Sequence, residues 1–254
     1  MPKISIKNIK QYFAIFCLLL NTYTNGFSQT NAISAVLLKI QQAYKEANVL
    51  TINYTTEMFK NYKTNIVFEK NEGSFCRQDN IYYSKFGIME SVTGKYTLLK
   101  IDNEDQKIVI SEKPQNYSFI DQFSFTTLMK VFNNQNEIKL SDKYSKIIFQ
   151  TPKKSGFEYE KIEITYDVET YFLHKIVMYY ASEIDLNGDR KTLVKPRVEF
   201  NFIDHLKIIP SQNKLLISNY ISTKAVKGNY LAGINYKKYR VIDLRFKEKG
   251  KAIK

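Results

Sequence analysis

"MESVTGKYTLLKIDNEDQKIVI", Met89 to Ile110, reads as three short strands joined by two turns. "VTG" and "DNED" supply the turn residues, while "KYTLLKI" and "KIVI" interleave branched and aromatic residues with Lys and Thr. Connections this short set neighbouring strands antiparallel. No catalytic residue type stands in the meander. In "KYTLLKI" both faces are partly apolar, Tyr96 and Leu98 on one, Leu99 and Ile101 on the other. A sheet with this much apolar surface is expected to surround or cover something.

The alternation continues on both sides. Upstream, "LTINYTTEMFKN", "TNIVFEKN", "GSFCRQ" and "IYYSKFG" read as strands, with "NEG" as a hairpin signal between the second and third. Downstream, "YSKIIFQT", "EYEKIEITYD" and "YFLHKIVMYY" follow, the last two joined by "DVET". "KPRVEFNFIDHLKI", "NKLLISNYIST" and "YRVIDLRF" complete the strand pattern. "DLNGD" has the acidic look of a calcium loop, but its Gly comes early and no Glu closes the loop, so Asn187-Gly188 reads as a hairpin turn.

Two segments change period. Thr30 or Asn31 can cap a helix running to about Asn48, with Ile33, Val36, Leu37, Ile40, Tyr44 and Ala47 on one face. In "FIDQFSFTTLMKVFNN", Phe125, Leu128, Met129 and Phe132 recur at helical spacing, started by Asp121 or Ser124 and stopped by "NNQN". Without a repeat, a Pro-rich linker or a composition shift, residues 29–246 are expected to form one domain, and 247–254 a loose basic tail.

The chain has 254 residues, 44% hydrophobic and 25% charged, with 19 Tyr, 17 Phe and no Trp. Its net charge of +13 is mostly Lys, which suits an anionic partner. Nucleic acid is not expected: there is no run of five like charges, and only five Arg to form a reading surface.

The first residues predict the compartment. "MPKISIKNIK" is a basic leader, "YFAIFCLLL" an apolar stretch too short to span a bilayer, and "NTYTNGFS" a polar end with Gly26 and Ser28 placed for cleavage. Residues 1–28 are therefore expected to be a signal peptide, giving a periplasmic protein that starts near Gln29 with a charge of about +10. Cys17 follows Phe16 rather than small residues, which argues against lipidation. Cys76 then stands alone, without a disulfide partner, in a strand pattern where a packed small hydrophobe is expected.

Motifs for chemistry are missing. His174 and His205 have no Cys or second His at ligand spacing, so no metal or other cofactor is expected. Cys76 lacks a nucleophile motif, and the pairs Glu158/Glu160 and Glu160/Glu163 stand among Lys as on a solvated strand face. An enzyme is not expected.

The order of helix, meander, mid-chain helix and meander resembles the periplasmic lipoprotein-carrier family of LolA/LolB type. In "GSFCRQDNIYYSKF", Gly73, Phe75, Arg77 and Tyr83 follow that family's order, and in "VTGKYTLLKIDNEDQKIVI" so do Gly94, Lys95, Leu98 and Asp102. "IEITYDVETYFLHKIVM" is similar to its later hairpin. The likeness covers about residues 30–203. The family's Pro after the basic residue is replaced by Gln78 and Asp79, and its lid-latching Arg falls on Tyr82. The part from about Pro210 onward is unmatched.

The resemblance implies a mainly β fold, an incomplete antiparallel β-barrel (a half-barrel) covered by amphipathic helices. It implies a non-catalytic carrier or chaperone that holds the acyl chains of a lipid or lipoprotein in a hydrophobic cavity. The cover would contribute Ile33, Leu37, Ile40, Phe125, Leu128 and Phe132. The sheet would contribute Tyr83, Tyr96, Leu98, Ile164, Ile176 and Met178. An anionic membrane surface or an envelope protein would be a further partner. The alternative is a non-catalytic interaction module of a cell-envelope assembly on the same scaffold.

Overall fold

The computed structural model describes residues 32–114, 125, 128, 129, 132, 134–151, 156–186, 192–208, 212–223 and 230–245. The leader, the caps at Thr30 and Asn31, the Asn187-Gly188 turn and the tail lie outside them. The elements are α1 (Ala32–Glu46), β1 (Val49–Phe59), β2 (Val67–Gln78), β3 (Ile81–Phe86), β4 (Met89–Thr93), β5 (Thr97–Asp102), β6 (Lys107–Glu112) and β7 (Asn134–Lys139). They continue with β8 (Tyr144–Gln150), β9 (Tyr159–Asp167), β10 (Leu173–Tyr180), β11 (Ile184–Asp185), β12 (Leu193–Val194), β13 (Arg197–Leu206), β14 (Ile221–Thr223), β15 (Tyr230–Ala232) and β16 (Arg240–Asp243). The protein is mainly β, with a single helix outlined among the described residues. That helix is too short to cross a membrane.

The chain divides into two compact units: Met1–Glu46, Thr55–Asn71 and Phe119–Ile203 in the first, Ala47–Tyr54, Glu72–Ser118 and Asp204–Lys254 in the second. In the first, α1 forms because Ala, Leu, Lys and Gln dominate it, and Ile33, Leu37, Ile40 and Tyr44 make one buried stripe. Lys45 in its last turn suits the negative end of the helix dipole. The sheet of this unit runs β13-β10-β9-β8-β7, every pair antiparallel. β7 was not expected. "NQNEIK" lacks apolar alternation, and its pairing with β8 alone makes it an edge strand. The short strands β11 and β12 pair antiparallel with each other.

In the second unit the order is β2-β3-β4-β5-β6-β16. The opening meander is present as read, with β4, β5 and β6 in antiparallel register. Two expectations are corrected. The sheet is mixed rather than purely antiparallel, because β16 joins β6 in parallel; it arrives after a long excursion of chain instead of a hairpin. "NEG" is not a turn: β2 runs unbroken through Gly73. A Cβ on Gly73 would lie 2.2 Å from the Tyr54 ring, so the glycine makes room for that ring within a strand. The turn between β2 and β3 falls at Asp79-Asn80, between "GSFCRQ" and "IYYSKFG" as read. Asp79 has a φ of 51°, and its N–H donates to the Asn48 carbonyl at 2.8 Å.

"NKLLISNYIST" is also corrected. It forms short 3₁₀ turns at Gln212–Leu215 and Ile217–Asn219 before β14. These turns bring Leu215, Tyr220 and Ile221 onto one face of the second unit's sheet, against Cys76, Tyr83, Val92, Leu99, Ile101, Ile108 and Ile110. Ile217, Tyr230, Tyr236 and Tyr239 pack around that cluster. The C-terminal part is thus the core cover of this unit. Cys76 is a packed hydrophobe, 3% exposed, and burial pushes its thiol up from its ordinary range.

Candidate functional site

The sheet of the first unit has two unlike faces. Register places Ile147 and Phe149 of β8 beside Ile164 and Ile162 of β9, which lie beside Ile176 and Met178 of β10, and these beside Phe200 and Val198 of β13. Cross-strand alignment of this kind puts every one of these side chains on the same face. All are buried except Val198, which is half-buried. Above them, the Phe132 ring meets Phe149 edge-on at 6.0 Å and Phe157 at 5.2 Å. Phe132 is fully buried, and its N–H donates to the Leu128 carbonyl at 2.9 Å, a helical bond. Phe125, Leu128 and Met129 are helical and Phe132 is not; the other residues of the expected 121–133 helix lie outside the described residues.

The helix α1 is tied to this unit by mixed contacts. The Tyr44 hydroxyl accepts the Leu173 N–H at 3.1 Å, and its ring meets Phe172 edge-on at 5.1 Å. Lys39 donates to the Tyr171 hydroxyl at 3.1 Å and sits over that ring. Gln135, on the edge strand, gives its amide N–H to the Phe132 carbonyl at 2.8 Å, while its side-chain oxygen is buried without a hydrogen-bond partner.

The opposite face is a ladder of charge. Lys146 and Lys161 both reach Glu163, at 3.0 and 2.9 Å, and Lys175 and Arg197 both reach Glu199, at 2.6 and 2.8 Å. Lys161 lies 3.8 Å from the Tyr179 ring centre. The expected lysine partners of the strand-face Glu are therefore real, including Lys195 on Glu160. They are less solvated than anticipated, since the Glu163 and Glu199 side chains are only 12% and 11% exposed.

Burial alone would raise the carboxyls of Glu163 and Glu199, but hydrogen bonds and charge from Lys161, Lys146, Lys175 and Arg197 outweigh it and hold both below the ordinary 4.5. A carboxyl lowered on folding adds stability above its unfolded value, and that stability is lost as pH falls through the folded value. Urea unfolding should therefore show stability falling as pH drops below about 4.5. Glu163→Gln should flatten part of that slope; an unchanged slope would mean the pair does not titrate with folding.

Of the candidate residues, Ile164, Ile176 and Met178 share the apolar face, and Ile33, Leu37, Ile40, Phe125, Leu128 and Phe132 are buried in the same unit. The other three lie in the second unit. Tyr83 and Leu98 are on opposite faces of its meander, and Tyr96 is 72% exposed. Sequence reading missed Ile147, Phe149, Ile162 and Phe200 as members of the face, although their alternation was legible. Among the described residues no group of His, Cys, Asp and Glu could hold a metal ion. His174 stacks on Tyr144 at 4.4 Å, and burial followed by the charges of Lys175 and Lys143 lowers its pKa.

No family model matches the chain, and no curated protein matches it. Solved structures similar to it include a LolA superfamily protein from Nitrosomonas europaea, at 7% identity and a TM-score of 0.29, covering 68% of this chain and 91% of that one. Lipoprotein LppX from Mycobacterium tuberculosis is similar at 10% identity and a TM-score of 0.30, covering 66% and 93%. An uncharacterized conserved protein from Thermus thermophilus is similar at 8% identity and a TM-score of 0.43, covering 73% and 93%.

Proposed function

We propose that this protein is a non-catalytic carrier of acyl chains, exported to the periplasm, which receives them from a lipid or lipoprotein against the apolar face of the first unit's sheet. The observation that carries the reading is the asymmetry of that sheet. One face is continuous Ile, Phe and Met, and the other is a ladder of Lys–Glu pairs. Phe132 packs against Phe149 of that face, and Phe125, Leu128 and the stripe of α1 are buried in the same unit; on this reading they form a cover that a ligand must displace or slide beneath. An acyl chain that does so gains about 0.8 kcal/mol per buried CH₂. The Lys-rich surface assists at an anionic membrane.

The two contributions separate by salt. Acyl burial is hydrophobic and survives added salt, whereas attraction to a surface fades as the Debye length falls to about 3 Å near 1 M. A fluorescent fatty-acid probe, displaced by an acyl-peptide, is expected to bind at low and high salt alike. Co-sedimentation with anionic liposomes is expected to be lost at high salt. Folded protein that takes up no probe at any salt would remove the carrier reading and leave the envelope interaction module.

A further inference from the structure

We propose that the second unit carries a binding site for an alkylammonium cation, formed by the Glu90 carboxylate and the rings of Tyr236 and Tyr239 beside Tyr83 and Tyr220. This site is separate from the acyl-binding face and does not depend on that reading.

Glu90 lies on the face of β4 that the C-terminal segment covers, opposite Ile101 in register. Its carboxylate accepts the Tyr83 hydroxyl at 3.1 Å and the Asn103 side-chain N–H at 2.9 Å. Asn103 is itself fixed, donating to the Ile88 carbonyl at 2.8 Å and accepting the Tyr239 hydroxyl at 2.8 Å. The carboxylate is therefore aimed by neutral groups. Among the described residues no Lys or Arg forms an ion pair with it, although Lys85 stands beside it in register and is exposed. A half-buried carboxylate held by neutral donors attracts a cation through a setting of reduced dielectric.

The aromatic wall is built around that charge. Tyr236 meets Tyr239 edge-on at 5.0 Å, and Tyr220 lies 5.1 Å from Tyr236 at an interplanar angle of 32°. Burial first, and then the Glu90 charge, holds the Tyr236 phenol up at about 12, so the wall stays neutral. Tyr236 and Tyr239 are half-buried and reach solvent. Lys214 sits 5.3 Å from the Tyr83 ring centre, an internal instance of a cation on this wall. The 3₁₀ turn Ile234–Tyr236 is set by Gly233, where a Cβ would lie 2.2 Å from the Asn219 carbonyl oxygen. That close approach fixes the turn and with it the Tyr236 ring.

A carboxylate beside aromatic faces suits an organic cation better than a metal ion. The ring quadrupole attracts an organic ammonium, quaternary ammonium above all, and the carboxylate pairs with its charge. Either a free amine or the amine of a lipid headgroup offers this chemistry.

The test titrates the full-length mature protein with tetramethylammonium and with ethanolamine, and separately with monomeric dihexanoyl phosphatidylethanolamine, followed by NMR at constant ionic strength set with KCl. Saturable binding of the free amines, weakened about tenfold or more in Glu90→Gln and in Tyr236→Leu but kept in Tyr236→Phe, is expected. Binding of the headgroup lipid well beyond the free amines would assign the site to headgroups, and equal binding would assign it to free amines. Thermal melts confirm folding; if Glu90→Gln does not fold, the two Tyr236 variants decide. No saturable binding to the wild type, displacement by KCl alone, or unchanged binding in Tyr236→Leu would overturn the proposal.

Discussion

Arg197→Ala is expected to cost about 3–5 kcal/mol of folding stability, the loss typical of removing one partner from a buried charge pair. Arg197 is 7% exposed. Its Nε donates to Glu199 at 2.8 Å, while Nη1 donates to the Tyr62 and Thr64 carbonyls, both at 2.8 Å. The guanidinium also lies 4.0 Å from the Phe59 ring centre. One side chain therefore holds the turn after β1, anchors the start of β13 and neutralises Glu199. Removing it leaves carbonyls short of a donor and a carboxylate with Lys175 alone. Arg197→Lys should recover only part of the loss, because an ammonium cannot reproduce the planar fork. Urea unfolding should show a lower midpoint at an unchanged slope. A loss below about 1 kcal/mol, the range of an exposed pair, would mean that the ladder is ordinary surface.

Phe132→Ala separates a closed core from a face that exchanges its cover for ligand. Phe132 is fully buried against Phe149 and Phe157. A close-packed site loses about 3–5 kcal/mol on such a truncation. On the carrier reading the loss is smaller in protein loaded with fatty acid, because an acyl chain fills the space, and probe affinity changes. A full loss in loaded and unloaded protein alike, with unchanged probe uptake, would make Phe132 a core residue only.

The strands were legible where alternation was dense. β3 to β6 and β8 to β10 fall where Tyr, Ile and Val alternate with Lys and Glu, because a half-buried strand must place apolar groups at every second residue. The stripe of α1 was legible for the same reason at the helical period. Three features were not. Gly73 looked like a turn because a lone sequence cannot show the Tyr54 ring that needs its missing Cβ. β7 has no periodicity to read; its place comes from pairing with β8. The parallel docking of β16 on β6 is a long-range choice with no local signal.

The candidate site was legible in part for a related reason. Residues such as Ile164 and Ile176 announce themselves as strand-face apolar groups, yet which strands share a face depends on register. Tyr83, Tyr96 and Leu98 have the same residue types and the same alternation. Their place in the second unit follows from the order of strands, which no single strand encodes. The tyrosine wall around Glu90 was illegible altogether, since it is assembled from the meander and the unmatched C-terminal part.

The most direct test of the carrier account is native mass spectrometry of the mature protein, purified without detergent from cells that export it. The account predicts a bound acyl lipid that is released on unfolding and taken up again on addition of fatty acid. Folded protein that carries no lipid, and that accepts none when it is offered, would contradict it.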